Sequence, residues 1–244
     1  MSQADADLIF IGYTRENSSK HYQYAVNLTP EYFTDMQKLY MSINNKVFGY
    51  MCAMCVSKSF LDRNNIRLNQ NYSFREDTLF AINCLEKASS AYICPSVAYH
   101  YVQYGDGRQL TSKVYDRDIF EEQLYITKRL FAFVQKLGIP DAERQISYDC
   151  YRHCVYKSII NAVYTGNLNI SYIKKVLNND FVEERRIKFD KLWLENVDME
   201  WKSEMTRYLN KAVYSIYFHH ILLRWHTLII AFLHRLKATI IKKA

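Results

Sequence analysis

The spacing of apolar positions changes character near residue 112. Before it, short apolar runs and alternations are separated by turn residues. Residues 8–13, from Leu8 through Phe10 to Tyr13, form a compact β-rich run that reads as a buried strand. Residues 21–27 alternate Tyr22, Tyr24 and Val26 and read as a second, half-exposed strand. Thr29-Pro30-Glu31 offers an N-cap followed by Pro at the first helical position. The spacing predicts a helix from there to about Ile43, with Phe33, Met36, Leu39 and Tyr40 on its apolar face. Residues 49–56 are strand-like, 57–64 predict a short helix, and Asn64-Asn65 a turn. A helix opens at residues 74–77 and carries Leu79, Phe80, Ile82 and Leu85 at helical spacing. Residues 91–94 and 97–104 read as two strands separated at Pro95. Beyond Thr111 the spacing is helical to the end, and Gly138, Pro140 and Gly166-Asn167 are its main punctuation. The expected fold is therefore an α/β portion followed by an all-helical C-terminal region. Its segments are 1–112, 113–204 and a tail at 205–244.

Composition agrees with a folded chain: 49% hydrophobic and 23% charged residues are outside the range of disordered sequences. The 32 basic and 25 acidic residues leave a formal charge of +7, and that charge is localised. No acidic residue follows Glu204, whereas seven bases do: Arg207, Lys211, Arg224, Arg235, Lys237, Lys242 and Lys243. The first 204 residues are thus neutral, with 25 bases against 25 acids, which disfavours a nucleic-acid-binding body.

On a helix, Arg224, Thr227, Ala231, His234, Arg235, Ala238 and Lys242 form one narrow stripe, and apolar residues including Leu222 and Trp225 cover most of the rest. Two readings stand. Residues 216–244 either lie on an anionic membrane surface or pack their apolar face on the helical portion or on a second copy. The N-terminal residues lack the basic and apolar regions of a secretory signal, and no run reaches the length of a spanning helix. The expected location is cytoplasmic, peripheral to the inner face of the plasma membrane.

Six cysteines are too few for a disulfide scaffold of this length. Cys52 and Cys55 form a lone C-x-x-C, and Cys150 and Cys154 share a helical face beside His153. A metal site would have to bring such pairs together, and buried thiols are the plainer reading. By the same standard, His100 reads as a packed or surface histidine, Arg75 and Arg108 as surface residues able to meet phosphate, and residues 183–186 (Glu-Glu-Arg-Arg) as a solvated helix face.

The stretch that carries chemistry runs through Lys58, Phe60 and Leu61, then Ile66 and Leu68, then Arg75-Glu76-Asp77-Thr78-Leu79-Phe80. It closes with Tyr99 and Tyr101 and with Leu110-Thr111-Ser112. Taken alone, two acids in a first helical turn simply complement the positive end of the helix dipole. Their order among the other segments resembles the family-two glycosyltransferases of bacterial surface-polysaccharide synthesis, which have the GT-A fold. That family places "K-x-x-F/L" and "I-x-F" segments before an "E-D-x-x-F" motif and a "Y-x-Y…S-x-T"-like segment after it. The resemblance covers about residues 4–112.

What the resemblance implies is transfer of a sugar from a nucleotide-sugar donor to a glycan or lipid-linked acceptor. Asp77 would be the catalytic base, Glu76 its neighbour in catalysis or acceptor orientation, and Arg75, Tyr101 and Ser112 substrate-binding residues. It also implies a divalent metal, Mn or Mg, held against the donor diphosphate by a D-x-D motif. Asp5-Ala6-Asp7 spells that motif, yet it fits better the "D-A-D-[LI]-[VI]" segment that begins the next strand in the family. On the family pattern the chain starts just beyond the nucleotide-binding half. It is expected to be a truncated or incomplete form that by itself binds donor and metal poorly, or else a split partner. The alternative is a non-catalytic remnant of that fold acting at a membrane or in protein interaction.

Overall fold

A computed structural model describes residues 6–17, 22–44, 46–72, 74–103, 117–188 and 206–222. The chain folds into two compact units. The first holds the strands, the early helices and residues 128–142; the second holds 117–127 and the helices from 143 onward.

The first unit is built on β1 (Leu8–Asn17). One edge of β1 pairs in parallel with β5 (Ala91–Gln103) along its whole length. Its other edge is shared by two antiparallel partners. β4 (Met54–Val56) takes Leu8 to Phe10, and β2 (Tyr22–Val26) takes Tyr13 to Asn17. β3 (Glu31–Phe33) pairs antiparallel with the start of β5, completing a five-stranded mixed sheet. A mixed α/β unit is the outcome that the alternating pattern predicts.

Two boundaries differ from the expectation for physical reasons. The helix predicted from Pro30 starts later, as α1 (Met36–Ile43), and Glu31–Phe33 is strand instead. Asp35 supplies the competing cap: its carboxylate accepts the Gln37 and Lys38 N–H groups at 3.0 and 3.2 Å. Phe33, released from the helix, is buried next to the β5 edge. Pro95 does not end a strand either. β5 runs through it, and the ladder absorbs the missing N–H as a bulge between the Phe10–Ile93 and Gly12–Val97 pairs. Residues 49–56 are only half strand, because a 3₁₀ turn at Met51–Ala53 precedes β4. The short helix forms as predicted: α2 (Lys58–Arg63) is capped by Ser57, whose hydroxyl accepts the Phe60 N–H at 3.1 Å.

After α3 (Glu76–Leu85) and β5, the described chain is helical. α4 (Phe120–Lys136) contributes its first half to the second unit and its second half to the first. The second unit continues with α5 (Ala142–Asp149), a π-helical stretch (Cys150–Tyr156), α6 (Lys157–Thr165), α7 (Ile170–Leu177) and α8 (Asp180–Ile187). Helical segments at 206–209 and 213–222 follow. Gly166 ends α6 at φ 79°, and Asn169 and Asn179 cap α7 and α8 by accepting the Tyr172 and Phe181 N–H groups. Cys150, Tyr151, Cys154, Ile159, Val176 and Tyr208 form the centre of this unit's core.

Two readings of the sequence are resolved in this core. Cys150 and Cys154 are fully buried, and Cys154 Sγ donates to Thr127 Oγ1, which donates to Asp149 Oδ2 (3.3 Å each). They are core thiols. The tetrad at 183–186 is not a solvated face: Val182 and Arg185 turn inward, and Arg185 is 1% exposed. It pairs with Glu143 and, at 2.7 Å, with Glu184.

Candidate functional site

Chemistry in the first unit concentrates where α3 begins. The helix is buried nearly all round, with Leu79, Phe80, Ile82 and Leu85 each less than a tenth exposed. Its start is unusual. Arg75, the residue before the first turn, has φ 66°, the left-handed region that a side chain other than Gly occupies at a cost of about 1–2 kcal/mol. No side chain caps the helix from Arg75. Instead Asp77 Oδ1 accepts the N–H of Thr78 at 2.7 Å.

Asp77 is half-buried, and its carboxyl is pushed up to about 6. Burial is the largest cause. The Thr78 N–H works against it, the neighbouring Glu76 carboxylate adds to it, and the Arg75 guanidinium opposes it. Desolvation thus outweighs both the hydrogen bond and the adjacent cation. A carboxylate so placed keeps access to solvent while holding its proton more tightly than an ordinary aspartate.

The other wall is the turn that carries Gly49 and Cys52. Gly49 has φ 77°, and a Cβ built there would stand 2.9 Å from Thr78 Oγ1, so the turn lies directly on the first residues of α3. Burial also raises the thiol of Cys52, and the charge of Asp77 adds to that rise. Aromatic contacts fix the turn at both ends. Phe48 meets Tyr40 edge-on at 5.0 Å and stacks on Phe133 at 6.4 Å. Tyr50 lies 5.6 Å from Tyr13 of β1. Gly49→Ala forces a strained φ and a clash with Thr78 together. The expected cost is about 1–3 kcal/mol, read as a lower urea midpoint; a midpoint equal to that of the parent chain would show that the turn does not rest on α3.

The residues singled out from the sequence divide as follows. Arg75, Glu76 and Asp77 come together by adjacency, and the structure adds Cys52, Gly49 and Thr78 to them. Tyr101 stands on β5 opposite Arg15, whose guanidinium is 6.0 Å from the Tyr101 ring centre. Ser112 and Arg108 lie outside the described residues. His100 is a half-exposed surface residue, its Nε2 3.0 Å from Glu16 Oε2. Asp7 is engaged structurally: its Oδ2 accepts both the N–H and the hydroxyl of Ser89 at 2.8 Å, which holds the start of β1 beside the start of β5. Asp5 lies outside the described residues. Among the described residues no three of His, Cys, Asp and Glu gather as a metal-binding group. Gly49 was the missed signal, for it is one of only six glycines in the chain and stands just before Cys52.

The chain matches none of the family models and none of the curated proteins with which it was compared.

Proposed function

We propose that this protein is a glycosyltransferase-like protein of the GT-A kind, in which Asp77 serves as the base for transfer of a sugar from a nucleotide-sugar donor to a hydroxyl of a glycan or lipid-linked acceptor. The observation that carries the reading is the half-buried Asp77 carboxyl at about 6, set beside a second acid at the start of α3. The order of sequence segments around it supports the same reading.

The chemistry follows from the carboxylate. The acceptor O–H gives its proton to Asp77 while its oxygen attacks the anomeric carbon. The bond from that carbon to the diphosphate oxygen breaks, the nucleoside diphosphate leaves with the electron pair, and configuration inverts. A base that titrates near 6 is ionised at neutral pH and accepts a proton more readily than one at the usual aspartate value. Glu76 next to it adds to the rise of the Asp77 carboxyl, and the Arg75 guanidinium opposes it. In the implied family a divalent metal binds the donor diphosphate; the steps assigned to this chain's own residues are those of the acceptor side.

The direct test incubates the full chain with uridine, guanosine and thymidine diphosphate sugars and Mn²⁺ or Mg²⁺. Release of nucleoside diphosphate and the shift in melting temperature are both measured. Release that rises when lipid-linked or oligosaccharide acceptors are added supports the proposal. Neither release nor a thermal shift at millimolar donor would overturn catalysis by this chain and leave the non-catalytic reading of the fold.

A further inference from the structure

The helical segment at 213–222 has two apolar sides. One faces the core of the second unit: Ile216 and His220 are 3% and 2% exposed, and Val213 and Tyr217 pack against the buried cluster. The other side holds Tyr214, Phe218 and Leu222, which are 61%, 59% and 68% exposed. Their spacing of four residues puts them in one row along the helix. Elsewhere the described residues expose large apolar side chains mostly singly, so a row of three on ten residues is a distinct feature.

We propose that the Tyr214–Phe218–Leu222 row docks the protein on an anionic lipid surface. Three observations select lipid. First, the row carries the chemistry of an interface, two aromatics and a leucine. Second, the charge of the surrounding sequence is basic: from residue 205 onward there are seven Lys and Arg and no acid, with Arg224 just after the row, while Lys211 ahead of it is paired with Glu183 at 2.8 Å. Such a segment is drawn to an anionic surface within a Debye length, about 10 Å at 0.1 M salt. Third, the exposed part of three such side chains amounts to only on the order of 300 Å², whereas a stable dimer needs about 800 Å² from each partner. A lipid surface sets no such minimum, because apolar side chains enter it one by one. Among the described residues no helix is long and apolar enough to cross a membrane. The docking is independent of the chemistry proposed at Asp77.

Sedimentation of the full chain with vesicles tests the proposal. Vesicles of phosphatidylcholine alone, and of phosphatidylcholine with phosphatidylglycerol, are compared at low and high salt. The chain is expected to bind the anionic vesicles more strongly, and less so at high salt. The triple variant Tyr214→Ser, Phe218→Ser, Leu222→Ser changes only exposed positions, so its circular dichroism and melting temperature should match the parent. Its binding is expected to fall about tenfold or more. Undiminished binding by the triple variant would overturn the assignment, as would equal binding to neutral and anionic vesicles. A concentration-dependent dimer that the triple variant abolishes, seen by analytical ultracentrifugation without vesicle binding, would assign the row to a second copy instead. Asp77→Asn should leave vesicle binding unchanged, which separates failure of this proposal from failure of the catalytic one.

Discussion

Asp77→Asn is expected to abolish sugar transfer and, at pH 7, to make the chain more stable. The two effects share one cause. Burial raises the Asp77 carboxyl from 3.8 to about 6, so the folded state binds a proton there that the unfolded chain has already released between those two values. Where the folded state holds more protons, stability falls as pH rises. The favourable contribution is complete below 3.8 and is lost as pH passes through about 6. At pH 7 the folded protein therefore carries a carboxylate its surroundings disfavour, at roughly 1–3 kcal/mol. Asparagine has the same shape, still accepts the Thr78 N–H, and has no charge to desolvate. Urea unfolding of parent and variant should give a gap of that size at pH 7, and the gap should close below pH 4 or so. In parallel, kcat/KM of the parent should rise with pH through about 6 as the base ionises. Full transfer activity in Asp77→Asn removes Asp77 from the base role. An equal stability gap at both pH values would mean that the carboxyl is not the titrating group.

That balance explains which parts of the site were legible beforehand. Glu76 and Asp77 were visible because acids at a helix start stand out against an apolar periodicity. Burial gives Asp77 its character, and the Gly49 turn that lies on Thr78 beside it is more than 25 residues away in sequence, an approach that no local spacing encodes. The strands were legible for the complementary reason. The run from Leu8 to Tyr13 is apolar because Leu8, Phe10 and Tyr13 are buried while Ile9 and Ile11 on the other face are still partly covered. The misplaced start of α1 shows a local signal losing to a tertiary one. Pro30 suits a first helical turn, but Asp35 offers a better cap and the edge of β5 takes Glu31–Phe33. At residues 183–186 charge alone misled, since four ionisable residues in a row suggest solvent and say nothing of which one a neighbouring helix covers.

Arg185→Ala is expected to destabilise the second unit by about 3 kcal/mol, while Arg186→Ala, one residue on, costs about 0.2–1 kcal/mol. The contrast tests whether burial or charge sets the worth of these arginines. Arg185 is 1% exposed, its guanidinium is 5.0 Å from the Phe181 ring centre, and it pairs with Glu143 and Glu184. Both acids are about half in water, at 42% and 51% exposed, so after truncation they rehydrate and are not stranded. The loss therefore falls on the cavity and on the contacts of the long side chain, which keeps the figure at the low end of what breaking a buried pair costs. Arg185→Met fills most of that volume without a charge to desolvate, and it should recover the greater part of the loss. Arg186 is a quarter exposed; it meets Glu183 three residues back at 2.6 Å and donates to the Leu209 carbonyl at 2.8 Å, contacts that water largely replaces. Guanidinium unfolding followed by helical circular dichroism measures all three variants. Arg185→Ala within 1 kcal/mol or so of the parent would show that the side chain reaches solvent after all. A loss in Arg185→Met equal to that in Arg185→Ala would show that the guanidinium, and not the volume it occupies, holds α8 to the unit's core.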